Sequence, residues 1–251
     1  YLLLLLIFLA SCTVDATPTP SPIASTPPPI PIAPVLVEPT PLPEGASPVL
    51  ISEVLAGVQG NNNYEFIELY NRSSEIVDLH GWALWYRLPT SQEDLFIYRW
   101  TSTTLIPPQG HYLLGNAGAE ISIPVDMQFD QPINTAGGGL QLRQTDGTVL
   151  DALGWGKAQP DFYEGSSAPA LINGVSLERL PGGLIGNSLD QDDNSTDFHL
   201  SDSPDPQNSG STLTPLPSAR LEVTLQAPAS AEPGTQFTYD LSVTNRCGVE
   251  A

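Results

Sequence analysis

Residues 49–210 read as an all-β domain, and three observations predict it. Short runs alternate apolar with polar residues, turn formers punctuate the runs, and no apolar stripe of helical period reaches useful length. In chain order the runs are VLISEVLAG from Val49, YEFIELYN from Tyr64, GWALWYRL from Gly81, DLFIYRW from Asp94, HYLLGN from His111, GLQLRQTDGTVLDALGW from Gly139 and VSLERL from Val175. Pieces such as GNNN, SSE, PPQG and TAGGG separate them. The clearest turn signal is Asp146-Gly147, between LQLRQ and TVLDAL, because glycine readily takes the positive φ of a hairpin turn. Many short strands at this spacing predict a sandwich or a barrel.

The flanking segments follow other rules. Residues 1–12, YLLLLLIFLASC, are an apolar run ending in small residues and a cysteine. At about 1.5 Å per residue the run is too short to cross a hydrocarbon core of about 30 Å alone. Its length suits the hydrophobic region of a signal peptide. Leu9-Ala10-Ser11-Cys12 looks like a bacterial lipobox, so Cys12 is expected to carry lipid and to anchor the chain. Residues 13–48 are dense in proline, which fixes φ and lacks an N–H. A disordered, extended stalk is expected there, reaching about 100 Å at full length. After a linker at 211–218, residues 219–251 restart the strand pattern at Leu221, Val223 and Leu225 and again at Phe237, Tyr239, Leu241 and Val243. Beginning at Tyr1 and ending at Ala251 inside that pattern, the sequence is expected to be a piece of a longer one.

Charge narrows the function classes. Eight Lys and Arg against 28 Asp and Glu give a net charge of −20. Nucleic-acid affinity rests largely on cations that neutralise phosphates, so that partner class is excluded. An anionic membrane surface is disfavoured for the same reason, and membrane attachment then needs the lipid at Cys12. Cys12 and Cys247 are the only cysteines, which excludes a disulfide framework.

Glu65, Glu68 and His80 offer the elements of an acid–base site. On a strand, however, residues an odd number apart point to opposite faces. Glu65 is expected beside Ile67 and Leu69, Glu68 beside Phe66 and Tyr70, with Arg72 the nearest partner for either. His80 precedes Gly81 in a turn and is expected to be solvated. No HxH, HExxH, CxxC or GxSxG occurs, so zinc and serine-hydrolase chemistry lack their ligands. Gly137-Gly138-Gly139 has neither a basic residue nor a following helix for phosphate and reads as a flexible bend. Trp82 and Trp85 should face opposite ways, one in the core and one outside, where an aromatic face can stack on a sugar. Asp190, Asp192, Asn194 and Asp197 supply the oxygen ligands of a candidate calcium site. The sixth and twelfth positions of that run are Ser195 and Ser201, which rejects an EF-hand.

One set of motifs carries a family resemblance. LISEV, EFIELYN, VDLHGWAL, IPPQGHYLL, DGTVLDALGWG, SLERL and DQDDNSTDF occur in this order between Val49 and Gly210. The set resembles the bacterial form of the lamin tail domain, a fold also found in nuclear lamins. The resemblance implies an immunoglobulin-like β-sandwich on a secreted or surface-anchored protein, sometimes beside a hydrolase or nuclease domain. PGTQFTYDLSVTN similarly resembles the start of a bacterial surface repeat, again immunoglobulin-like, with Cys247 in its turn.

These readings combine into one expectation. The chain should be a lipid-anchored, extracytoplasmic, non-enzymatic binding or spacer module that engages an envelope protein or glycan. The alternative is an accessory domain of a larger envelope hydrolase or nuclease. No cofactor other than calcium is implied.

Overall fold

The computed structural model describes residues 42–118, 121–215, 221–226, 234, 236 and 240–245. The leader with Cys12, the proline-rich residues 13–41, and Cys247 lie outside the described residues.

Twelve strands build the main unit: β1 (Val49–Val58), β2 (Asn61–Asn71), β3 (Val77–Asp78), β4 (Ala83–Arg87), β5 (Leu95–Arg99), β6 (Leu105–Ile106), β7 (His111–Asn116), β8 (Met127–Phe129), β9 (Gly137–Arg143), β10 (Val149–Gly156), β11 (Ser176–Arg179) and β12 (Phe198–Ser201). A six-stranded sheet has the order β12-β11-β1-β2-β7-β8, a four-stranded sheet the order β10-β9-β4-β5, and β3 pairs with β6. All pairings are antiparallel except β7 with β8. One short helix, α1 (Asn194–Asp197), leads into β12 and is capped by the Asp193 side chain. A second unit holds β13 (Leu221–Gln226) and β14 (Asp240–Asn245), antiparallel with Val223 opposite Val243.

Each predicted run contains a strand, and the period-2 pattern decides which side is dry. Val49, Ile51, Val54, Ile67 and Leu69 of the six-stranded sheet meet Leu84, Tyr86, Leu140, Leu142, Leu153 and Trp155 of the four-stranded sheet in one buried core. The β1–β2 register shifts twice, between Ile51 and Glu53 and between Ala56 and Val58. Ile51 lies opposite Leu69 but Glu53 lies opposite Glu68, so Ser52 is an extra residue in a β-bulge. Gly147, at φ +91°, closes the predicted turn between β9 and β10.

Two expectations need correction. Gly137–Gly139 are not a flexible bend; they are the buried start of β9. A Cβ on Gly138 would stand 2.6 Å from the Tyr86 ring, and one on Gly139 2.5 Å from Phe162 Cβ. These glycines are required by close packing. Arg72 pairs with neither Glu65 nor Glu68. Its guanidinium reaches Asp190 at 2.8 Å and the Ser47 carbonyl at 2.9 Å.

The two sheets are tied by a buried ion pair. Arg179 of β11 shares the inward face with Leu177, and Asp151 lies inward on β10. Arg179 Nη2 donates to both Asp151 oxygens at 2.8 and 3.0 Å, Nε donates to the Ile51 carbonyl at 2.9 Å, and the Ile51 amide donates to Asp151 at 2.6 Å. The guanidinium also stacks 4.4 Å from the Phe198 ring centre. Both side chains are essentially inaccessible, at 0 and 1 % exposure. Removing one partner of such a pair strands the other charge. Arg179→Met is therefore expected to cost about 3–5 kcal/mol in urea unfolding, with Arg179→Met/Asp151→Leu recovering much of that loss.

Candidate functional site

The calcium candidates divide on folding. Asp190 and Asp197 both approach Arg179 Nη1, at 3.8 and 3.9 Å. Asn194 turns the other way, its amide oxygen accepting from Gly154 N at 2.8 Å and its NH₂ donating to the Ala152 carbonyl at 2.9 Å. Asp192 is exposed with φ +57°. A different trio converges instead: oxygens of Asp151, Glu164 and Asp190 lie within 4.8 Å of one another. Of these three, only Asp190 belongs to the set expected from sequence. The geometry alone gives this trio oxygen ligands suited to a hard cation, but Arg179 already stands among them as a counter-charge. Burial, then the Asp151 charge, pushes Glu164 up to about 8. Its contribution to stability is full below about 4.5 and is lost as pH rises through about 8. Glu164→Gln is thus expected to flatten the decline of the melting temperature between pH 7 and 9, with no such gain at pH 4.

The opening acids of β2 separate as strand geometry demands. Glu65 faces inward and accepts from Ile133 N at 2.9 Å and Asn116 Nδ2 at 2.8 Å. Glu68 points to the outer face, accepting from Ser52 Oγ at 2.6 Å and Gln207 N at 2.5 Å. His80 is exposed in its glycine turn. What the sequence did not reveal is a row of acids on that outer face. Glu68, Glu53 and Glu178 lie directly opposite one another on β2, β1 and β11, with His199 next on β12. His111, buried on β7, reaches within 3.7 Å of Glu68. The Ser52 bulge hid this row, because it changes which residues of β1 share a face.

The outer face of the four-stranded sheet is different in kind. Register places Val149, Arg143, Ala83 and Arg99 in one row and Ala152, Gln141, Trp85 and Phe96 in the next. Trp85 meets Phe96 edge-on at 5.4 Å, and the Arg143 guanidinium sits 5.4 Å from the Trp85 ring centre. Asp94 bridges Arg87 and Arg143, each at 2.8 Å. Burial would raise Asp94, but the two arginines outweigh it and hold the carboxyl below its usual range. Pro160–Phe162 covers the β9–β10 half of this face, with Phe162 against Gly139 and Gly154. The β4–β5 half stays open, with Phe96 50 % exposed and Arg99 exposed. The other tryptophans behave as expected of core residues: Trp100 and Trp155 are buried and Trp82 packs against the core.

Two facing, largely antiparallel sheets around a shared core define an immunoglobulin-like β-sandwich. Residues 43–157, covering β1 through β10, match the model of the Lamin Tail Domain, a family of non-catalytic immunoglobulin-like domains. No curated protein matches the chain. The inter-sheet arginine, β11 and β12 lie beyond the matched span.

Proposed function

We propose that the sandwich is a non-enzymatic binding module that engages a carboxylate-bearing envelope glycan through the open β4–β5 half of its four-stranded sheet. One observation carries the reading. Between residues 42 and 215 the cations are Arg72, Arg87, Arg99, Arg143, Lys157 and Arg179. Arg72 and Arg179 lie away from the open face, tied to Asp190 and Asp151. The other four all belong to the four-stranded sheet or its end, on a chain of net charge −20; Arg87 and Arg143 share Asp94, and Arg99 is exposed. Trp85 and Phe96 add aromatic surface, which supplies contact area at little entropic cost. Arginine beside an aromatic ring suits an acidic sugar, because its planar fork matches a carboxylate.

The same proposal places the module outside the cytoplasm, held to the membrane by lipid on Cys12 and set off from it by residues 13–48. Substituting Cys12→Ala is expected to abolish incorporation of radiolabelled fatty acid; retained label would remove the anchor from the proposal. For the binding face, an array of acidic and neutral glycans is the direct test. Arg99→Glu and Trp85→Ala are each expected to weaken binding to acidic glycans at least about tenfold, a difference of about 1.4 kcal/mol. Unchanged binding in both variants would reject this face, and capture of peptides in place of glycans would reject the ligand class.

A further inference from the structure

After β12 the chain does not leave the sandwich. Residues 202–214 form a strap whose bonds reach across the outer face of the six-stranded sheet. Gln207 N donates to Glu68 of β2 at 2.5 Å. Asn208 Nδ2 donates to the Pro124 carbonyl at 2.7 Å, and the Ser209 amide and hydroxyl donate to Asp126 at 2.9 and 2.5 Å. Thr214 N donates to the Gln109 carbonyl at 3.0 Å, while Tyr70 donates to the Thr214 carbonyl at 2.5 Å. Pro204 and Pro206 of the strap wall an apolar cavity of about 300 Å³ whose other sides include Leu55, Val58, Tyr64 and Phe66.

The middle of this strap rests on acids that are poor neighbours for one another. Like charges directly opposite across a ladder are destabilising, and here three glutamates are opposed in sequence: Glu68 to Glu53 and Glu53 to Glu178. Glu53 and Glu68 are 2 and 1 % exposed. Each buried carboxylate has neutral donors of its own, Ser176 Oγ for Glu53 and Ser52 Oγ with Gln207 N for Glu68. A second charge in the row adds repulsion that neutral donors do not cancel. No cation offsets it from the packed elements: His111 on β7 is pushed by burial down to about 4 and is neutral above that, His199 faces Glu178 at 3.6 Å, and Asp205 and Asp126 bring further negative charge.

We propose that residues 203–208 are a pH-sensitive latch: closed while Glu53 and Glu68 share at most one negative charge, and released when both ionise, which uncovers the groove of Leu55, Val58, Tyr64 and Phe66. Water reaching the carboxylates relieves both desolvation and repulsion, so opening the strap is the least costly response. The sign follows from burial, which lifts Glu53 to about 8 and Glu68 well above the ordinary 4.5, with Glu178 also raising Glu53 and the Glu53 charge also raising Glu68. Raised carboxyls bind protons in the folded state that the open state gives up. The latch is therefore tightest below about 4.5 and weakens as pH rises through about 8. His111 has the opposite slope, confined between about 4 and 6.5. The window above 6.5 belongs to the glutamates.

Hydrogen exchange on the full chain, corrected for the intrinsic rate, tests the latch at pH 6.5 and pH 9. The Gln207 and Asn208 amides of the strap are expected to lose about tenfold in protection at pH 9, since that is about one unit past the Glu53 midpoint, while the β1–β2 amides keep theirs. Glu53→Gln removes the second charge and is expected to keep the strap protected at pH 9; Glu68→Gln is read the same way should the first variant not fold. Glu65→Gln, on the inward face of the same strand, is expected to retain the wild-type response. Unchanged strap protection in the wild type, equal loss in Glu53→Gln, or uniform loss across the sandwich would each overturn the latch.

Discussion

The sandwich depends on the guanidinium of Arg179. Its two sheets share no backbone ladder, and apolar packing alone resists sliding weakly because dispersion is non-directional. Arg179, Asp151 and the Ile51 peptide form a closed, directional tie between β11, β1 and β10. The tie fixes the register of one sheet against the other. It also fixes local structure, because Leu189 and Asp190 gather around the same guanidinium and bring the α1 region with them. Burial disfavours the Asp151 charge even against its arginine, so the arrangement holds through geometry and donor count more than through Coulomb energy.

From that tie the two outer faces take opposite characters. The four-stranded sheet turns arginines and aromatic rings outward, with Asp94 holding two guanidinium groups in place. Orientation rather than extra charge is what such a carboxylate supplies. The six-stranded sheet turns glutamates outward and then covers them with the chain's own continuation. One face is half open to solvent and the other is covered by the chain's own continuation.

Much of this fold was legible because β-strands alternate, and YEFIELYN and LQLRQ each carry that alternation plainly. The separation of Glu65 from Glu68 followed from the same parity. Three things were not legible. The glycines of β9 look like a bend because their reason is a neighbour, the rings of Tyr86 and Phe162, which periodicity does not encode. Asp151 and Arg179 look like interruptions of apolar runs, since a buried ion pair appears in sequence as two unrelated charged residues. The acidic run from Asp190 reads as metal-ligand spacing, although its side chains are divided between Arg179 and β10. The lipobox expected at Leu9–Cys12 and the proline-rich residues 13–41 fall outside the described residues, so the fold bears on neither.

Ser52 carries a consequence for how this fold can change over time. By inserting one residue into β1 it reverses the facing of everything after it, so that Val54 and Ala56 enter the core while Glu53 and Leu55 leave it. A lineage that lost this one codon would straighten β1 into strict alternation, with Val54 still inward and Glu53 and Leu55 still outward, and would give up the hydroxyl that donates to Glu68. The bulge is thus a place where β1 can shorten by one residue without exchanging its faces. Loss of Val54 from a strand that keeps the bulge would instead turn Leu55 inward.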